Sequence, residues 1–391
     1  MDTIKRILKI KLPKGQSAFL WGPRKTGKTT YLKTHFPDSI VYDFLKTDLF
    51  FEISKNPALL RERLLAESED NLRCPVILDE VQKVPQVLDE VHWLIENKKI
   101  SFILCGSSAR KLKHGHSNLL GGRAWVFKLF PLVSAELGGN IDILRVLNHG
   151  LVPAHYLEGD DYRKSLKAYA QDYLKEEVFA EGLTRNIPAF SRFFDAFAYS
   201  HGELTNYSNI ARDCGIDAKT VKEYYQILVD TLLAVRVEPF KKTQSRQVIT
   251  KSCKYYLFDV GVAGFLTKRN LEEVKGAEFG KAFEHFIAME LFAYRSYSGF
   301  DFDINFWRTK TGLEVDFILG GGKIAIEVKG SSRVDKNDLA CMNGFIDEYS
   351  PKKAIIVSNE KQKRTHGKIE IMPWTVFLNE LWEGKIIRRE N

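Results

Sequence analysis

One group of residues in this sequence has the types and the spacing that phosphate chemistry requires. Residues 22–29 read Gly-Pro-Arg-Lys-Thr-Gly-Lys-Thr and match the pattern G-x-x-x-x-G-K-[ST] in full. Glycines let backbone N–H groups approach phosphate oxygens without a Cβ in the way, and a helix N-terminus adds its positive dipole end. We expect Lys28 to reach the β- and γ-phosphates of a nucleotide, and the Thr29 hydroxyl to bind Mg²⁺.

Two acidic residues further along the chain fit the same chemistry. Residues 75–80 read Pro-Val-Ile-Leu-Asp-Glu, which predicts a buried strand that ends in two acids. Asp79 is placed to hold the Mg²⁺ ion, and Glu80 is placed to polarise the attacking water as a general base. A later apolar run at residues 100–105 is followed by Gly-Ser-Ser, so Ser107 or Ser108 is a candidate sensor of the γ-phosphate.

The elements around these residues predict a parallel α/β sheet. A short apolar strand at residues 17–21 precedes the phosphate loop, and a helical pattern begins at Thr30. A strand at residues 39–43 would lie between the phosphate loop and the Asp79 strand, and a helix at about 87–97 leads into the sensor strand. Such alternation of strands and helices requires a parallel sheet. The predicted nucleotide-binding residues are Gly22, Pro23, Arg24, Lys25, Thr26, Gly27, Lys28, Thr29, Thr30, Asp79 and Ser107.

These residues resemble the AAA-type P-loop ATPases, which carry an additional strand in the sheet. The segments Leu-Leu-Gly-Gly-Arg at 119–123 and Phe-Pro-Leu-Val-Ser-Ala-Glu-Leu at 130–137 resemble one prokaryotic family of this type, whose C-terminal half is a domain of unknown function. The resemblance implies that the nucleotide is ATP. It also implies that Arg123 is an arginine finger, acting in its own chain or on a neighbouring subunit of a homo-oligomer.

A second set of chemistry-bearing residues lies near the C-terminus. Two predicted strands follow each other around the glycine turn at residues 320–322, and each carries charges in an alternating pattern. Side chains alternate between the faces of a strand, so Glu314 and Asp316 share one face, as do Glu327 and Lys329. Charges at strand centres are costly to bury unless they are paired or bound to a metal. The alternative is a solvent-facing strand pair in which Lys329 forms a salt bridge with Asp316 or Glu314.

This second set resembles the core of the PD-(D/E)XK nucleases. Asp316 corresponds to the metal-binding acid, Glu327 to the second acid and Lys329 to the lysine after it, while Glu284 corresponds to the acid that the preceding helix supplies. The resemblance implies a Mg²⁺ or Mn²⁺ ion at Glu284, Asp316 and Glu327 that binds the scissile phosphate of a nucleic acid, with Lys329 orienting water or stabilising the developing negative charge. The first motif departs from the family pattern because it reads Glu-Val-Asp rather than Pro-Asp.

The middle of the chain has the pattern of a winged helix. Residues 204–217 predict a helix, a glycine turn and the start of a second helix that continues to residue 233. Two strands follow, at about 234–240 and 254–258, and the segment between them contains the cations Lys241, Lys242 and Arg246. This element either contacts DNA or only packs domains together.

Composition narrows the class of protein. The chain has 391 residues, a formal net charge of +8 and five scattered cysteines with no C-x-x-C spacing. We therefore expect reduced thiols, a cytoplasmic location, no membrane partner and an acidic partner, with nucleic acid first and DNA preferred to RNA. The predicted domains are an ATPase domain at 1–150, a helical region with a winged helix at 151–269 and an α/β restriction-endonuclease-like domain at 270–391.

The function that these patterns predict is ATP hydrolysis coupled to a metal-dependent nuclease-like domain that acts on nucleic acid. Two alternatives remain open. In the first, the protein is a regulatory or signalling NTPase whose nuclease fold is inactive and serves binding. In the second, it is a DNA-binding module in which ATP switches the winged helix, so that loss of Lys241, Lys242 and Arg246 would weaken DNA binding.

Overall fold

The structure, a computed structural model, describes residues 4–108, 120–159, 161–170, 186–241 and 252–388. The chain forms two compact units. The small unit contains residues 8–131 and 230–233, and the large unit contains residues 1–7, 132–229 and 234–391.

The small unit is built around a five-stranded sheet in which all neighbouring strands are parallel, as the alternating pattern predicts. Its strands are β1 (Ser17–Trp21), β2 (Val41–Asp43), β3 (Val76–Asp79), β4 (Phe102–Gly106) and β5 (Ala124–Lys128). The spatial order is β2-β3-β4-β1-β5. The strand that separates β1 from β3 in space is therefore β4, while β2, which precedes β3 in sequence, lies at the edge of the sheet.

Helices connect the strands of this sheet. They are α1 (Lys28–His35), α2 (Thr47–Lys55), α3 (Ala58–Ala66) and α4 (Val87–Lys98), together with short 3-10 helices at Val81–Lys83 and Leu120–Gly122. In α4 the buried residues recur at helical spacing, as in Val87, Val91 and Leu94, and this apolar face packs into the core. Because the strands are parallel, the ends of β1, β3 and β4 lie at the same edge of the sheet.

The rest of the described chain begins with a run of helices and continues into a second sheet. The helices are α5 (Ser134–Leu137), α6 (Ile143–His149), α7 (Pro153–Tyr156), α8 (Tyr162–Ala168), α9 (Ile187–Ser200), α10 (Tyr207–Cys214), α11 (Ala218–Asp230), α12 (Val260–Leu266), α13 (Ala277–Tyr297), α14 (Ala340–Tyr349) and α15 (Trp374–Trp382). The strands are β6 (Ala234–Pro239), β7 (Lys254–Leu257), β8 (Ile304–Arg308), β9 (Glu314–Leu319), β10 (Ile324–Lys329), β11 (Lys353–Ser358), β12 (Arg364–His366) and β13 (Ile369–Pro373).

The second sheet is continuous across the predicted middle and C-terminal domains. Its order is β12-β13-β11-β10-β9-β8-β6-β7. The predicted boundary at residue 269 falls between β7 and β8, so residues on both sides of it contribute to one sheet. At its centre, β9 and β10 are antiparallel, with Phe317 opposite Ile326, and β10 and β11 are parallel, with Lys329 beside Ser358.

The predicted elements of the winged helix are present, but their setting differs from a separate module. Helices α10 and α11 are followed by the antiparallel pair β6 and β7. Strand β6 also pairs in parallel with β8, at Glu238 beside Asn305, so the strand pair is an extension of the large sheet. A winged helix is therefore not confirmed. The predicted DNA-contacting residues Lys242 and Arg246 lie outside the described residues, while Lys241 is exposed.

Aromatic side chains of α9 form part of the core, as their helical spacing predicts. Phe193, Phe194 and Phe197 are buried, and Phe193 packs edge-to-face against Tyr225 of α11. All five cysteines are free thiols. Within the described ranges, no helix combines the length and the apolar character that a membrane span requires.

Candidate functional sites

The turn between β1 and α1 places glycines where the backbone has no room for a side chain. Strand β1 ends at Trp21 and α1 begins at Lys28. A Cβ on Gly22 would lie 2.5 Å from the carbonyl oxygen of Leu129, closer than real Cβ atoms approach. Gly27 has a φ of +88°, in the left-handed region that glycine adopts without steric cost. The geometry of this turn therefore requires both glycines of the pattern.

The side chain of Lys28 is buried and folds back over the turn. Its Nζ donates hydrogen bonds to the carbonyl oxygens of Gly22, at 2.7 Å, and of Pro23, at 3.0 Å. The hydroxyl of Thr26 donates to the same Pro23 oxygen at 2.8 Å. Neutral carbonyls are weaker partners for an ammonium group than charged phosphate oxygens. An incoming phosphate would therefore compete well for this lysine.

A hydroxyl and a carboxylate meet beside this turn. Thr29 Oγ1 donates a hydrogen bond to Asp79 Oδ2 at 2.7 Å, and the backbone N–H of Glu80 donates to Asp79 Oδ1 at 3.1 Å. Asp79 is buried at the end of β3. Mg²⁺ prefers hard oxygen ligands and is commonly held by one or two carboxylates. Thr29 and Asp79, which the sequence predicts as metal ligands, therefore lie together in an arrangement that fits a Mg²⁺ ion.

The backbone at Glu80 has an unusual conformation. Its φ of 57° and ψ of 41° lie in the left-handed region, which costs a non-glycine residue on the order of 1 kcal/mol. The residue stands at the junction between β3 and the 3-10 helix Val81–Lys83. Such conformations persist where surrounding contacts fix them, and they cluster at active sites. The general-base role of Glu80 stays a prediction.

Gln82 joins two predicted site residues and is not identified by the sequence analysis. Its Nε2 donates hydrogen bonds to Glu80 Oε2 at 2.6 Å and to Ser107 Oγ at 3.3 Å. Its Oε1 is buried and has no hydrogen-bond partner among the described residues. A Cβ on Gly106 would lie 2.2 Å from that oxygen, so the glycine leaves room for the amide. The local sequence does not single out Gln82, because Lys83 is a second polar residue between Val81 and Val84.

The remaining residues predicted around the nucleotide differ in exposure. Pro23 is buried, Arg24 is half-buried, and Lys25 and Thr30 are exposed. Ser107 and Ser108 are both buried just after β4. The hydrogen bond from Gln82 connects Ser107 to the Glu80 carboxylate, and this contact distinguishes Ser107 from its neighbour.

Arg123 lies near the amino ends of the strands, whereas the phosphate loop lies at their carboxyl ends. Arg123 precedes β5, whose first residue Ala124 pairs with Ser17 at the start of β1, whereas the loop follows Trp21 at the end of β1. A rise of about 3.3 Å per residue separates the two ends by roughly 16 Å. The guanidinium of Arg123 pairs instead with the carboxylate of Glu96. The fold therefore does not bring Arg123 to the loop of its own chain, and a role on a neighbouring subunit stays a prediction.

The second predicted site is formed by the central strands of the large sheet. Asp316 on β9 and Glu327 on β10 are both buried, at 8% and 4% exposure. The backbone N–H of Val328 donates a hydrogen bond to Asp316 Oδ2 at 2.8 Å, which ties the two strands together. Lys329 Nζ lies 2.8 Å from Glu327 Oε1, while Glu327 Oε2 is buried without a hydrogen-bond partner among the described residues. The cross-strand salt bridges considered for Lys329 are thus replaced by one along its own strand.

Lys254 of β7 is a member of this site that the sequence analysis places in a strand but does not assign. Its Nζ lies 2.5 Å from Glu314 Oε1 and 3.6 Å from Glu284 Oε1, and its side chain is 4% exposed. Tyr256, two residues further along β7, donates a hydrogen bond to Glu284 Oε1 at 2.5 Å. Arg308 pairs with the second oxygen of Glu314 at 2.6 Å. The carboxylates are therefore compensated by cations of the same unit.

The protonation equilibria follow from this crowding of charge. Burial, and then the nearby carboxylates of Glu327 and Glu284, raise the pKa of Asp316 well above its ordinary value. Burial also raises the pKa of Glu327, although Lys329 opposes this. Burial acts to lower the pKa of Lys254, but the carboxylates around it outweigh that effect and raise this pKa. The site therefore favours a charged ammonium and disfavours a full set of ionised acids.

A metal site at Glu284, Asp316 and Glu327 is not found. In the part of the chain that the structure describes, no group of three or more His, Cys, Asp or Glu side chains is arranged to hold a metal ion. The physical reason is that each of these acids already has one oxygen engaged by another group. Glu284 accepts from Tyr256, Asp316 accepts from the Val328 N–H, and one oxygen of Glu327 is paired with Lys329. The acids as arranged do not fit a divalent ion.

Three protein-family models match successive parts of the chain. Residues 14–138 match an AAA domain, residues 140–273 match a domain of unknown function (DUF8612), and residues 279–377 match another domain of unknown function (DUF4143). Together with the five-stranded parallel sheet and the phosphate loop, the first match supports a P-loop ATPase domain over residues 14–138. The other two matches name no activity.

Similar proteins add little about function. An uncharacterized protein of Mycobacterium tuberculosis and one of Mycobacterium bovis are each 24% identical to this chain over 326 residues, which is 80% of this chain and 70% of theirs. A solved Signal Transduction ATPase with Numerous Domains (STAND) protein with a tetratricopeptide repeat sensor, from Pyrococcus horikoshii, is 13% identical, with a TM-score of 0.17. That likeness covers 71% of this chain but less than half of the solved chain, 43%.

Proposed function

We propose that this protein hydrolyses ATP in its small unit and binds nucleic acid through the C-terminal part of its large unit. The single observation that carries the first part is a set of contacts at the ends of β1, β3 and β4. Thr29 is hydrogen-bonded to Asp79, and Glu80 is joined through Gln82 to Ser107. The residues to which we assign phosphate-binding, metal-binding, base and sensor roles thus lie together at the carboxyl ends of these strands. The AAA-domain match supports ATP as the nucleotide.

Each residue has a defined part in hydrolysis. Lys28 would leave the carbonyls of its own loop and bind the β- and γ-phosphates, which stabilises the charge that develops there. Thr29 and Asp79 would hold Mg²⁺, which when bound neutralises phosphate charge. Glu80 would accept a proton from water as the water oxygen attacks the γ-phosphorus. The bond from this phosphorus to the bridging oxygen then breaks, and ADP and inorganic phosphate are released.

The experiment that tests the ATPase is phosphate release by Lys28→Ala. We expect hydrolysis to be abolished, because the variant loses the ammonium group that lies buried against the phosphate-binding turn. Lys33→Ala is the matched control, since Lys33 is an exposed lysine on the same helix and should leave the rate unchanged. Circular dichroism would verify that both variants are folded. Normal hydrolysis by Lys28→Ala would overturn the assignment.

For the C-terminal part we propose binding of nucleic acid without metal-dependent cleavage. The observation behind this choice is the compensation of the carboxylates by Lys254, Arg308 and Lys329 in place of a metal. This corresponds to a regulatory NTPase whose nuclease-like core serves binding. Such a core keeps its scaffold while the chemistry that similar scaffolds perform is absent.

Metal-dependent cleavage is the second candidate. It is favoured by the order of Asp316, Glu327 and Lys329 on neighbouring antiparallel strands, and by Glu327 Oε2, which has no hydrogen-bond partner in the described part of the chain. The two candidates separate in an assay on plasmid, single-stranded DNA and RNA with Mg²⁺ or Mn²⁺, with and without ATP. Cleavage that is lost in an Asp316→Ala/Lys329→Ala variant would establish a nuclease. Intact ATPase activity without cleavage in any lane would support the binding role.

We also propose that the ATPase acts as a homo-oligomer in which Arg123 reaches the site of a neighbour. The distance between Arg123 and its own phosphate loop supports an action between chains rather than within one chain. Subunit mixing tests this directly. Lys28→Ala and Arg123→Ala chains should each be inactive, and mixing them should restore part of the rate, since some interfaces then combine an intact loop with an intact arginine. No recovery would contradict the proposal.

A further inference from the structure

The loops that follow β10 and β11 enclose a groove at the end of the large sheet where Lys329 lies. These strands are parallel, with Lys329 beside Ser358, so both loops leave the sheet at the same end. The groove has a volume of about 1150 Å³. Its basic lining residues are Arg333, Lys336, Lys361, Lys363, Arg364 and His366. We refer to it as the basic groove.

Hydrogen bonds join the two loops that form the walls of the basic groove. The carboxylate of Glu360 accepts a hydrogen bond from the backbone N–H of Val334 at 2.7 Å and two from the guanidinium of Arg364, at 2.7 and 2.8 Å. Arg364 also donates to the carbonyl oxygen of Val334 at 2.8 Å. Asn359 N–H donates to Ser331 O at 3.1 Å. The two loops are thus fixed to each other before any ligand binds.

Three cations of the basic groove remain available after this network is formed. Arg333, Lys336 and Lys361 are exposed, and none of them makes an ion pair with another described residue. By contrast, Lys363 pairs with Glu370 and Glu380. The carboxylates that line the groove are Asp335 and Glu360, against five lysine and arginine side chains. The groove therefore carries an excess of positive charge that its own structure does not neutralise.

We infer that the basic groove binds the phosphate backbone of a nucleic acid and leads it past Lys329. This rests on the proposed function, for which it supplies the binding surface. Arg and Lys with Ser, Asn and Gln are the side chains that contact phosphates, and the groove also presents Ser332, Asn359 and Gln362. An acidic protein segment would need apolar anchors as well. The apolar residues of the described lining, Val334 and Leu339, are each 4% exposed and offer none.

The test is fluorescence anisotropy of the full chain with labelled single-stranded DNA, duplex DNA and RNA. It is run in EDTA without nucleotide, so that neither ATP nor a metal contributes. An Arg333→Gln/Lys336→Gln/Lys361→Gln variant is compared with Lys33→Gln/Lys55→Gln/Lys98→Gln, which removes the same charge from exposed helical positions of the small unit. We expect the groove variant to bind at least about tenfold more weakly and to lose up to about two to three in the salt slope. The control should match the wild type.

The outcomes separate the groove from the wider proposal. A charge-preserving variant, Arg333→Lys/Lys336→Arg/Lys361→Arg, should keep most of the affinity. If the wild type binds nucleic acid and the groove variant binds it equally well, the inference is wrong while the proposed function stands. If the wild type binds no nucleic acid, both fail. Binding of poly-glutamate with equal affinity, lost in the same groove variant, would overturn the inference in favour of an acidic protein partner.

Discussion

The two candidate sites of this molecule are both lined by charged side chains, yet they satisfy those charges in opposite ways. At the phosphate loop, Lys28 is held by two neutral backbone carbonyls, and Gln82 keeps one buried oxygen without a partner among the described residues. At the carboxylate site, Lys254 lies between the carboxylates of Glu314 and Glu284, with one at 2.5 Å. At the phosphate loop a charged group is held by neutral partners. At the carboxylate site most charged groups are held by groups of opposite charge.

This difference teaches how a motif relates to a reaction. Binding energy for a charged ligand is available only where the partners of a charge can be exchanged for better ones. Carbonyls around Lys28 can be replaced by phosphate oxygens, which are stronger partners. The partners of Lys254 are already carboxylates, and separating them would leave buried charges alone. Lys28 can thus exchange its carbonyl partners for a phosphate. Lys254 is already paired with carboxylates, which disfavours binding of a further cation there.

The largest expected effect is at the phosphate loop. Glu80→Gln should lower kcat for ATP by about 10³-fold, because the amide cannot accept the proton of the attacking water. KM should change little, since Glu80 does not hold the phosphates. Steady-state phosphate release measures both constants, with the exposed Glu67→Gln as the control. An unchanged kcat would show that the assembly around Glu80 is structural, which would remove the contrast between the two sites.

At the carboxylate site the expected effect is on stability. Lys254→Met should lower the free energy of unfolding by up to about 3 kcal/mol, because the half-buried carboxylates of Glu284 and Glu314 lose the buried cation between them. Urea unfolding measures this. Lys281→Met is the control, since Lys281 forms an exposed ion pair with Glu203 whose loss should cost less than about 1 kcal/mol.

Added Mn²⁺ sharpens the same comparison. In an Asp79→Asn background, which removes the Mg²⁺ ligand proposed beside the phosphate loop, it should raise the stability of Lys254→Met and leave the parent with Lys254 unchanged, because only in the variant have the carboxylates lost their cation. Equal stabilisation of both proteins would show that the carboxylates accept a metal despite Lys254. That result would favour the nuclease candidate.

Much of the small unit could be predicted because its signals are local. Glycines at 22 and 27, a hydroxyl at 29 and two acids at a strand end each depend on a few neighbouring residues, and parallel strands then bring them to one edge. The pairing of Thr29 with Asp79 follows directly from this rule. Gln82 was not predicted, because its role depends on a contact with Ser107, which lies 25 positions further along the chain.

The large unit was harder to predict for the same physical reason. Alternation along β9 and β10 places Asp316 and Glu327 correctly, since strand periodicity is local. Lys254 comes from a strand that is distant in sequence and belongs to the sheet only through the pairing of β6 with β8. No pattern within one element shows which cation will face a carboxylate. The sequence analysis therefore predicts a divalent metal ion beside these carboxylates, where the structure has the ammonium group of Lys254.

A third buried acid offers a smaller test of how partners set stability. Glu290 of α13 accepts hydrogen bonds from the Ser134 N–H and hydroxyl and from Trp382 Nε1, each at 2.7 Å, and it forms no salt bridge with a residue that the structure describes. Burial raises its pKa to about 7. The folded state therefore binds this proton more tightly than the unfolded chain, so the stabilisation is fully present below the unfolded pKa and is lost as pH rises through about 7.

Between the pKa of Glu290 in the unfolded chain and its raised pKa in the folded protein, the free energy of unfolding should fall by at most about 3 kcal/mol. Urea unfolding across this range measures it. Glu290→Gln should flatten the pH dependence relative to the wild type, and Glu278→Gln, an exposed position on the same helix, should not. If Glu290→Gln retains the full wild-type slope, the buried carboxylate is not the group responsible, and neutral donors compensate it as well as a lysine would.

The smallest expected effect concerns Gln82, whose buried Oε1 has no hydrogen-bond partner among the described residues. Gln82→Ala should lower kcat about tenfold with little change in KM, because Glu80 and Ser107 lose the amide that fixes both. The exposed Gln86→Ala is the control. Gln82→Glu adds a readout that simple loss of packing would not give. Two adjacent carboxylates resist ionising together, so the acid limb of its pH–rate profile should move to higher pH. If the profile stays where it is in the wild type, Gln82 does not act on Glu80, and the phosphate loop works without the link that distinguishes it from the carboxylate site.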